Sequence, residues 1–259
     1  MRLLIIACLV LLVNLVLCST SDPEVFSLTR STTSAILPSS FDKGTTMAER
    51  LVSTKLRDYL EDLVPPQPAE LQAMDDYARA ENWPIIGPPA GQFCYQVARM
   101  IAARHIFELG SGYGYSTAWF ARAVKENGGG TVHNVVWDEA LSQRARGHIR
   151  ALGLDGWVEY HVGEAIQTLR ETPGPFDLIL LDIDKEAYPR SLPTITEKLR
   201  PGGVLIVDNM LWHGRIFDES DQAPSVQGVR ELTERLRGDP GWIVSLVPIR
   251  DGLLVAYRR

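Results

Sequence analysis

Ile106-Phe-Glu-Leu-Gly-Ser-Gly-Tyr-Gly-Tyr-Ser-Thr117 is an apolar strand that ends in an acid and runs straight into three alternating glycines. Gly110, Gly112 and Gly114 lack a Cβ, so this backbone is free to take positive φ in a tight turn and to let a ligand come close. Ser116 and Thr117 then open a helix through Trp119, Phe120 and Val124. A glycine-rich turn alone is equally compatible with ordinary helix-strand packing. Glu108 narrows the choice. A pyrophosphate has little use for a neighbouring carboxylate, whereas a nucleoside cofactor with a cationic amino group and ribose hydroxyls can use one.

On both sides of this turn the chain alternates between strand and helix patterns. Upstream, Val52, Leu56, Tyr59, Leu60 and Leu63 recur at helical spacing until Pro65, Pro66 and Pro68, and further helices are expected over 69–81 and 90–103. Downstream, strands are expected at 131–136, 158–162, 178–181 and 204–207, with helices over 141–152, 165–171, 192–199 and 226–237. Leu178 to Leu181 is a continuous apolar run, as expected of a parallel strand buried on both faces. Pro201-Gly202-Gly203 reads as a turn, and 242–248 and 252–257 flank Arg250-Asp251-Gly252 as a terminal hairpin. The sum is an α/β protein with a doubly wound sheet, whose ligands bind outside the carboxyl ends of the strands.

The 259 residues, 45% hydrophobic and 22% charged, suffice for one well-cored domain. A net charge of -6 and no basic run exclude nucleic acid as an expected partner. Cys8, Cys18 and Cys94 are too scattered for a disulfide framework or a cysteine zinc site; Cys94 reads as a buried helix residue. At the N-terminus Arg2 precedes an apolar run from Leu3 to Leu17, broken by Asn14, and residues 18–21 are small or polar. This is the form of a secretory signal or short hydrophobic anchor over 1–21, too short for a secure membrane span. Membrane contact is expected only through this segment if it is retained. Residues 22–46 read as a Ser/Thr-rich linker, and 47–259 as the globular domain. Met47-Ala-Glu-Arg also looks like a protein start, which would make the protein cytoplasmic, so the N-terminus leaves two addresses open.

Acids gather at two strand ends: Leu180-Leu181-Asp182-Ile183-Asp184-Lys185 and Ile206-Val207-Asp208-Asn209. Either pair alone could be a cap or polar turn. Together, on the same sheet edge as the glycine turn, Asp182, Asp208 and the amide oxygen of Asn209 form a hard-oxygen ligand set suited to Mg²⁺. Lys185, three residues after Asp182, reads either as a solvated surface charge or as a general base. A neighbouring cation would lower its pKa enough for it to take a proton from a metal-acidified hydroxyl.

These residues resemble the cation-dependent S-adenosylmethionine O-methyltransferases, the caffeoyl-CoA and catechol O-methyltransferase-like enzymes with their bacterial members. The resemblance rests on Glu108-Leu-Gly-Ser-Gly-Tyr-Gly-Tyr-Ser, Phe176-Asp-Leu-Ile-Leu-Leu-Asp-Ile-Asp-Lys-Glu-Ala-Tyr, Gly202-Gly-Val-Leu-Ile-Val-Asp-Asn-Met-Leu-Trp-His-Gly and the ending from Pro248. It implies a Rossmann-like class I methyltransferase sheet with a terminal antiparallel hairpin and N-terminal helices. It also implies that Glu108, Gly110 and Ser111 line the methionine part of S-adenosylmethionine, that Ser116 bonds its carboxylate, that Ala165 lies near adenine, and that Asp184 holds the amino group. Asp182, Asp208 and Asn209 match the metal ligands, Lys185 the base, and His213 a substrate-side position. The implied reaction is divalent-metal-assisted methylation of a hydroxyl on a small catechol-like or phenylpropanoid acceptor, CoA esters included; a homodimer is implied as well, with the helices before Pro84 as contacts.

The family's ribose-binding acid at the end of the second strand is absent: Val136 stands there, followed by Trp137-Asp138-Glu139. Asp138 could substitute from a shifted turn, the ribose could be held less well, or the cofactor site could have changed. The rival function is a catalytically weak or non-catalytic binding protein on the same fold. A nicotinamide dehydrogenase fits less well, since the turn lacks G-x-G-x-x-G spacing.

Overall fold

The computed structural model of the chain describes residues 54–259. The readings of a signal over 1–21, a linker over 22–46 and the start at Met47 therefore lie outside the described residues. Among the described residues, three helices precede the first strand: α1 (Thr54–Asp62), α2 (Ala69–Glu81) and α3 (Gly87–Met100). Alternation then runs β1 (His105–Leu109), α4 (Tyr115–Glu126), β2 (Thr131–Val136), α5 (Glu139–Ala151), β3 (Val158–Val162), α6 (Ala165–Glu171), β4 (Phe176–Leu181), α7 (Tyr188–Lys198), β5 (Leu199–Val207) and α8 (Pro224–Gly238). The hairpin β6 (Trp242–Val247) and β7 (Leu253–Arg258) closes the chain. The seven strands form one sheet in the order β3-β2-β1-β4-β5-β7-β6, parallel except for β7 and β6. This is the doubly wound sheet with a terminal antiparallel hairpin that the alternation predicts.

Side-chain alternation along the central strands builds a core on each face. Ile106, Leu178, Leu180 and Ile206 pack with Met74, Cys94, Trp119 and Phe120 from α2, α3 and α4. Phe107, Leu109, Ile179 and Leu181 pack on the other face with Leu169, Tyr188 and Leu232 from α6, α7 and α8. Cys94 is fully buried and free, as its setting predicts.

Several boundaries differ from the sequence reading, and proline accounts for two of the larger differences. Helix α3 begins at Gly87 rather than residue 90 because Pro88 and Pro89 occupy its first positions, where a missing N–H costs nothing. Helix α7 begins at Tyr188 for the same reason at Pro189, and carries Pro193 within it. The turn expected at Pro201-Gly202-Gly203 is instead a bulge inside β5: Leu199 pairs with Phe176 and Val204 with Leu178, so residues 200–203 swell out between two ladder positions.

Helix α8 touches the site through a glycine. A Cβ on Gly228 would lie 2.1 Å from the carbonyl oxygen of Lys185, so only glycine lets α8 seat on the 3₁₀ turn Lys185–Ala187. In a helix interior alanine is favoured over glycine by about 1 kcal/mol, which Gly147 of α5 should show, because its Cβ would meet nothing within 4 Å. Urea unfolding is expected to find Gly147→Ala stabilising by about 0.5–1 kcal/mol and Gly228→Ala destabilising by about 1–3 kcal/mol through overpacking.

Candidate active site

Three strand ends meet because backbone pairing continues one residue beyond the ladders. Asp182 N donates to Leu109 O at 2.9 Å, and Asp208 N donates to Leu181 O at 3.1 Å. The turns after β1, β4 and β5 are thereby tied edge to edge. Gly110, at φ 87°, is required by this closeness, since its Cβ would stand 2.1 Å from Asp182 O. Gly114 meets Ala145 of α5 in the same way, at 3.0 Å. Of the three glycines expected to make room for a ligand, only Gly112 faces open space, with Trp83 Nε1 3.9 Å from its would-be Cβ.

Glu108 is fully buried and accepts hydrogen bonds from the hydroxyls of Ser116 and of Thr117, the latter at 2.5 Å. Thr117 Oγ1 in turn accepts from Asn134 Nδ2 at 2.9 Å. Burial pushes the Glu108 pKa up to about 7, against the pull of the two hydroxyls and with a further push from Asp182. Ser111 fastens the turn to β2: its N–H donates to Val135 O and its hydroxyl accepts from Val135 N, both at 3.0 Å. The Ser116 hydroxyl, expected to reach a cofactor carboxylate, donates to Glu108 in this structure.

Asp182 and Asp208 follow paired residues of neighbouring strands, Leu181 and Val207. Lys185 Nζ is 2.8 Å from Asp182 Oδ1 and 3.2 Å from Ile183 O, buried beneath the rings of Tyr188 and Trp212 at 5.2 and 5.5 Å. Asp208 is buried; its Oδ2 accepts from Arg250 Nη1 at 3.2 Å, while its Oδ1 has no partner. Burial, then the charge of Asp182, raises the Asp208 pKa to about 6, and Arg250 opposes this. Asn209 takes positive φ, 58°, and its Nδ2 donates to Asp251 Oδ2 at 3.2 Å. Asp184 is exposed at the start of the 3₁₀ turn, and Ala165 is buried as the first residue of α6.

Sequence reasoning missed Arg250 and Asp251 as site residues. Asp251 Oδ1 accepts from His213 N at 2.6 Å, so the hairpin tip holds both Asn209 and the segment carrying His213. The signal was present: a strand antiparallel to β5 must begin where β5 ends, and Leu254 pairs with Val207. A cavity of about 440 Å³ opens here, lined by Trp83, Pro88, Leu211, His213, Arg250 and Asp251 among others. Trp83 joins it to the open side of Gly112. At the end of β2, Val136 is buried, and Asp138 caps α5 by accepting from Leu141 N at 2.9 Å.

A family model described as O-methyltransferase matches residues 69–259. The chain belongs to the O-methyltransferase family. It is 31% identical to a catechol O-methyltransferase of Niastella koreensis over 209 residues, covering 76% of this chain and 94% of that protein. Among solved structures, it resembles an O-methyltransferase from Bacillus cereus in complex with SAH (TM-score 0.73, 29% identity, 82% of this chain and all of the other). It also resembles TomG from Streptomyces achromogenes in complex with SAM (TM-score 0.72, 27% identity, 83% and 99%). The protein is accordingly an S-adenosylmethionine-dependent O-methyltransferase of the caffeoyl-CoA and catechol type. That sets aside the nicotinamide dehydrogenase as a reading of this chain.

The buried Glu108 gives a pH signature. Below pH 4.5 the acid is protonated in folded and unfolded chains alike; between 4.5 and about 7 the unfolded chain ionises while the folded one keeps its proton. Stability therefore falls as pH rises through this window, by about 3 kcal/mol at 1.36 kcal/mol per pKa unit. Glu108→Gln removes the titration, so its stability relative to the parent should rise by up to about that amount between pH 5 and 7.5, measured by urea unfolding at each pH.

Proposed function

We propose that this O-methyltransferase methylates one hydroxyl of a vicinal diphenol, catechol-like or phenylpropanoid and including CoA esters, at a divalent-cation site formed by Asp182, Asp208 and Asn209. The observation that carries the metal is the orphaned Oδ1 of Asp208, a buried carboxylate oxygen with no partner beside a second carboxylate. Buried anionic oxygens are normally paired or bind a cation, and three hard-oxygen donors suit Mg²⁺ better than a softer ion. When bound, the cation supplies Lewis acidity toward two adjacent acceptor oxygens, and S-adenosylmethionine supplies an electrophilic methyl group.

The chain's own residues do the rest by placement. Lys185 Nζ, beside Asp182, takes the proton from the acceptor hydroxyl. Trp83, Pro88 and Leu211 give the cavity apolar walls for an aromatic ring, excluding water from the reacting oxygen. Glu108 and the backbone of Gly110 and Ser111 hold the methionine end of the cofactor, Asp184 its amino group and Ala165 the adenine side. His213, fixed through its backbone to Asp251, borders the acceptor. Much of the rate enhancement in such a site comes from orientation and fixed electrostatics. The catechol and caffeoyl-CoA O-methyltransferases among its relatives support this substrate class.

Methyl transfer to a panel of vicinal diphenols should vanish with EDTA and return with Mg²⁺. Activity indifferent to chelation would refute the metal. Lys185→Ala should bind S-adenosylmethionine as the parent does while kcat falls on the order of 10²–10⁴-fold, the usual weight of a general base; an unchanged kcat would remove Lys185 from the mechanism.

A further inference from the structure

Strands β2 and β3 carry a cluster that methyl transfer does not use. Their parallel register sets His133 opposite Glu159 and Val135 opposite His161, and because side chains alternate, His133, Glu159 and His161 share one face. His133 Nδ1 lies 3.0 Å from His161 Nε2 and 3.5 Å from Glu159 Oε2. One ligand atom from each residue falls within 4.8 Å of the others. We infer that His133, Glu159 and His161 form a second metal site, selective for a borderline divalent transition cation such as Zn²⁺, at the β3 edge of the sheet.

Geometry supports the assignment. Tetrahedral zinc with bonds of about 2.0–2.1 Å spaces its ligand atoms about 3.3 Å apart, close to the two distances His133 already makes. The His133 ring is fixed, stacked on Phe107 with centroids 5.7 Å apart and edge-on to Phe176 at 5.5 Å. Glu159 is exposed and His161 half-buried, so the site has one rigid ligand, two that adjust, and a fourth position open to water. Without an ion one imidazole donates its N–H to the other; to bind a cation the donating ring takes its other tautomer, with the proton on its far nitrogen, so that both facing nitrogens present lone pairs. Burial also keeps both rings neutral, as ligands must be, pushing His133 down to about 4 and lowering His161. Two nitrogens and one carboxylate favour zinc over magnesium, the reverse of the oxygen-only set at Asp182, Asp208 and Asn209. Bound there, the cation clamps the edge strand β3 to β2 and adds to stability by mass action.

Co²⁺ serves as the probe, titrated into full-length protein free of any histidine tag, with excess Mg²⁺ present to occupy the oxygen-only site. The expected result is one equivalent bound with the intense visible d–d bands of a tetrahedral site, a raised melting temperature, and displacement by Zn²⁺. His161→Ala, folded by circular dichroism, should lose the bands, and Glu159→Gln should weaken binding by at least about tenfold, the effect that even an outer-shell change can have. Methyl transfer in Mg²⁺ should be unchanged in both variants, and Asp208→Asn should keep the bands. Absence of the bands in the parent, their persistence in His161→Ala, or their loss in Asp208→Asn would each overturn the proposal.

Discussion

Everything at the site depends on two backbone hydrogen bonds, Asp182 N to Leu109 O and Asp208 N to Leu181 O. They carry the β1–β4–β5 ladder one residue beyond the strands and so bring three turns into contact. One turn is the glycine-rich loop, and the other two each begin with an aspartate. No room remains for a side chain at Gly110, whose missing Cβ is taken up by the Asp182 carbonyl. A residue with a Cβ there would separate the cofactor turn from the first metal-ligand candidate. The glycine is therefore better understood as a condition for joining two half-sites than as clearance for a ligand.

Contact at the backbone forces carboxylates together, and the electrostatics follow. Asp182 raises the pKa of both Glu108 and Asp208, each fully or almost fully buried. Taking an anion out of water costs several kcal/mol unless it is paired. Lys185 and Arg250 supply part of the pairing, one on Asp182 and one on Asp208. Asp208 Oδ1 still lacks a partner. The result is a rigid, incompletely neutralised pocket, which is the condition under which a cation or a positively charged cofactor gains most by binding.

Local pattern made most of this legible in the sequence. The helix at 69–81 and the strands at 131–136 and 158–162 coincide with the structure, because periodicity and turn residues are local properties. That Asp182, Lys185, Asp208 and Asn209 lie together is legible because the order of a doubly wound sheet places neighbouring strand ends on one edge. What escaped was set by long-range pairing. Arg250 and Asp251 lie 42 positions from the residues they bind, Asp208 and Asn209, and their part in the site exists only once β7 is laid antiparallel on β5. The bond between Ser116 and Glu108 is likewise hidden from a local reading, because it crosses the strand-to-helix turn.

The same reasoning bears on the missing acid at the end of β2. Val136 is buried there and its carbonyl accepts from Gly163 N at 2.9 Å, so the strand end is committed to packing and pairing. Asp138, the nearest carboxylate downstream that could replace the acid, already caps α5 through Leu141 N. Turning it toward a ribose would cost the helix cap about 1 kcal/mol, against about 1.5–3 kcal/mol for a hydrogen bond to a charged group. The exchange is favourable but narrow, and one carboxylate has two oxygens, so cap and ribose need not compete fully. The end of β2 therefore offers a ribose only what Asp138 can spare from its helix cap.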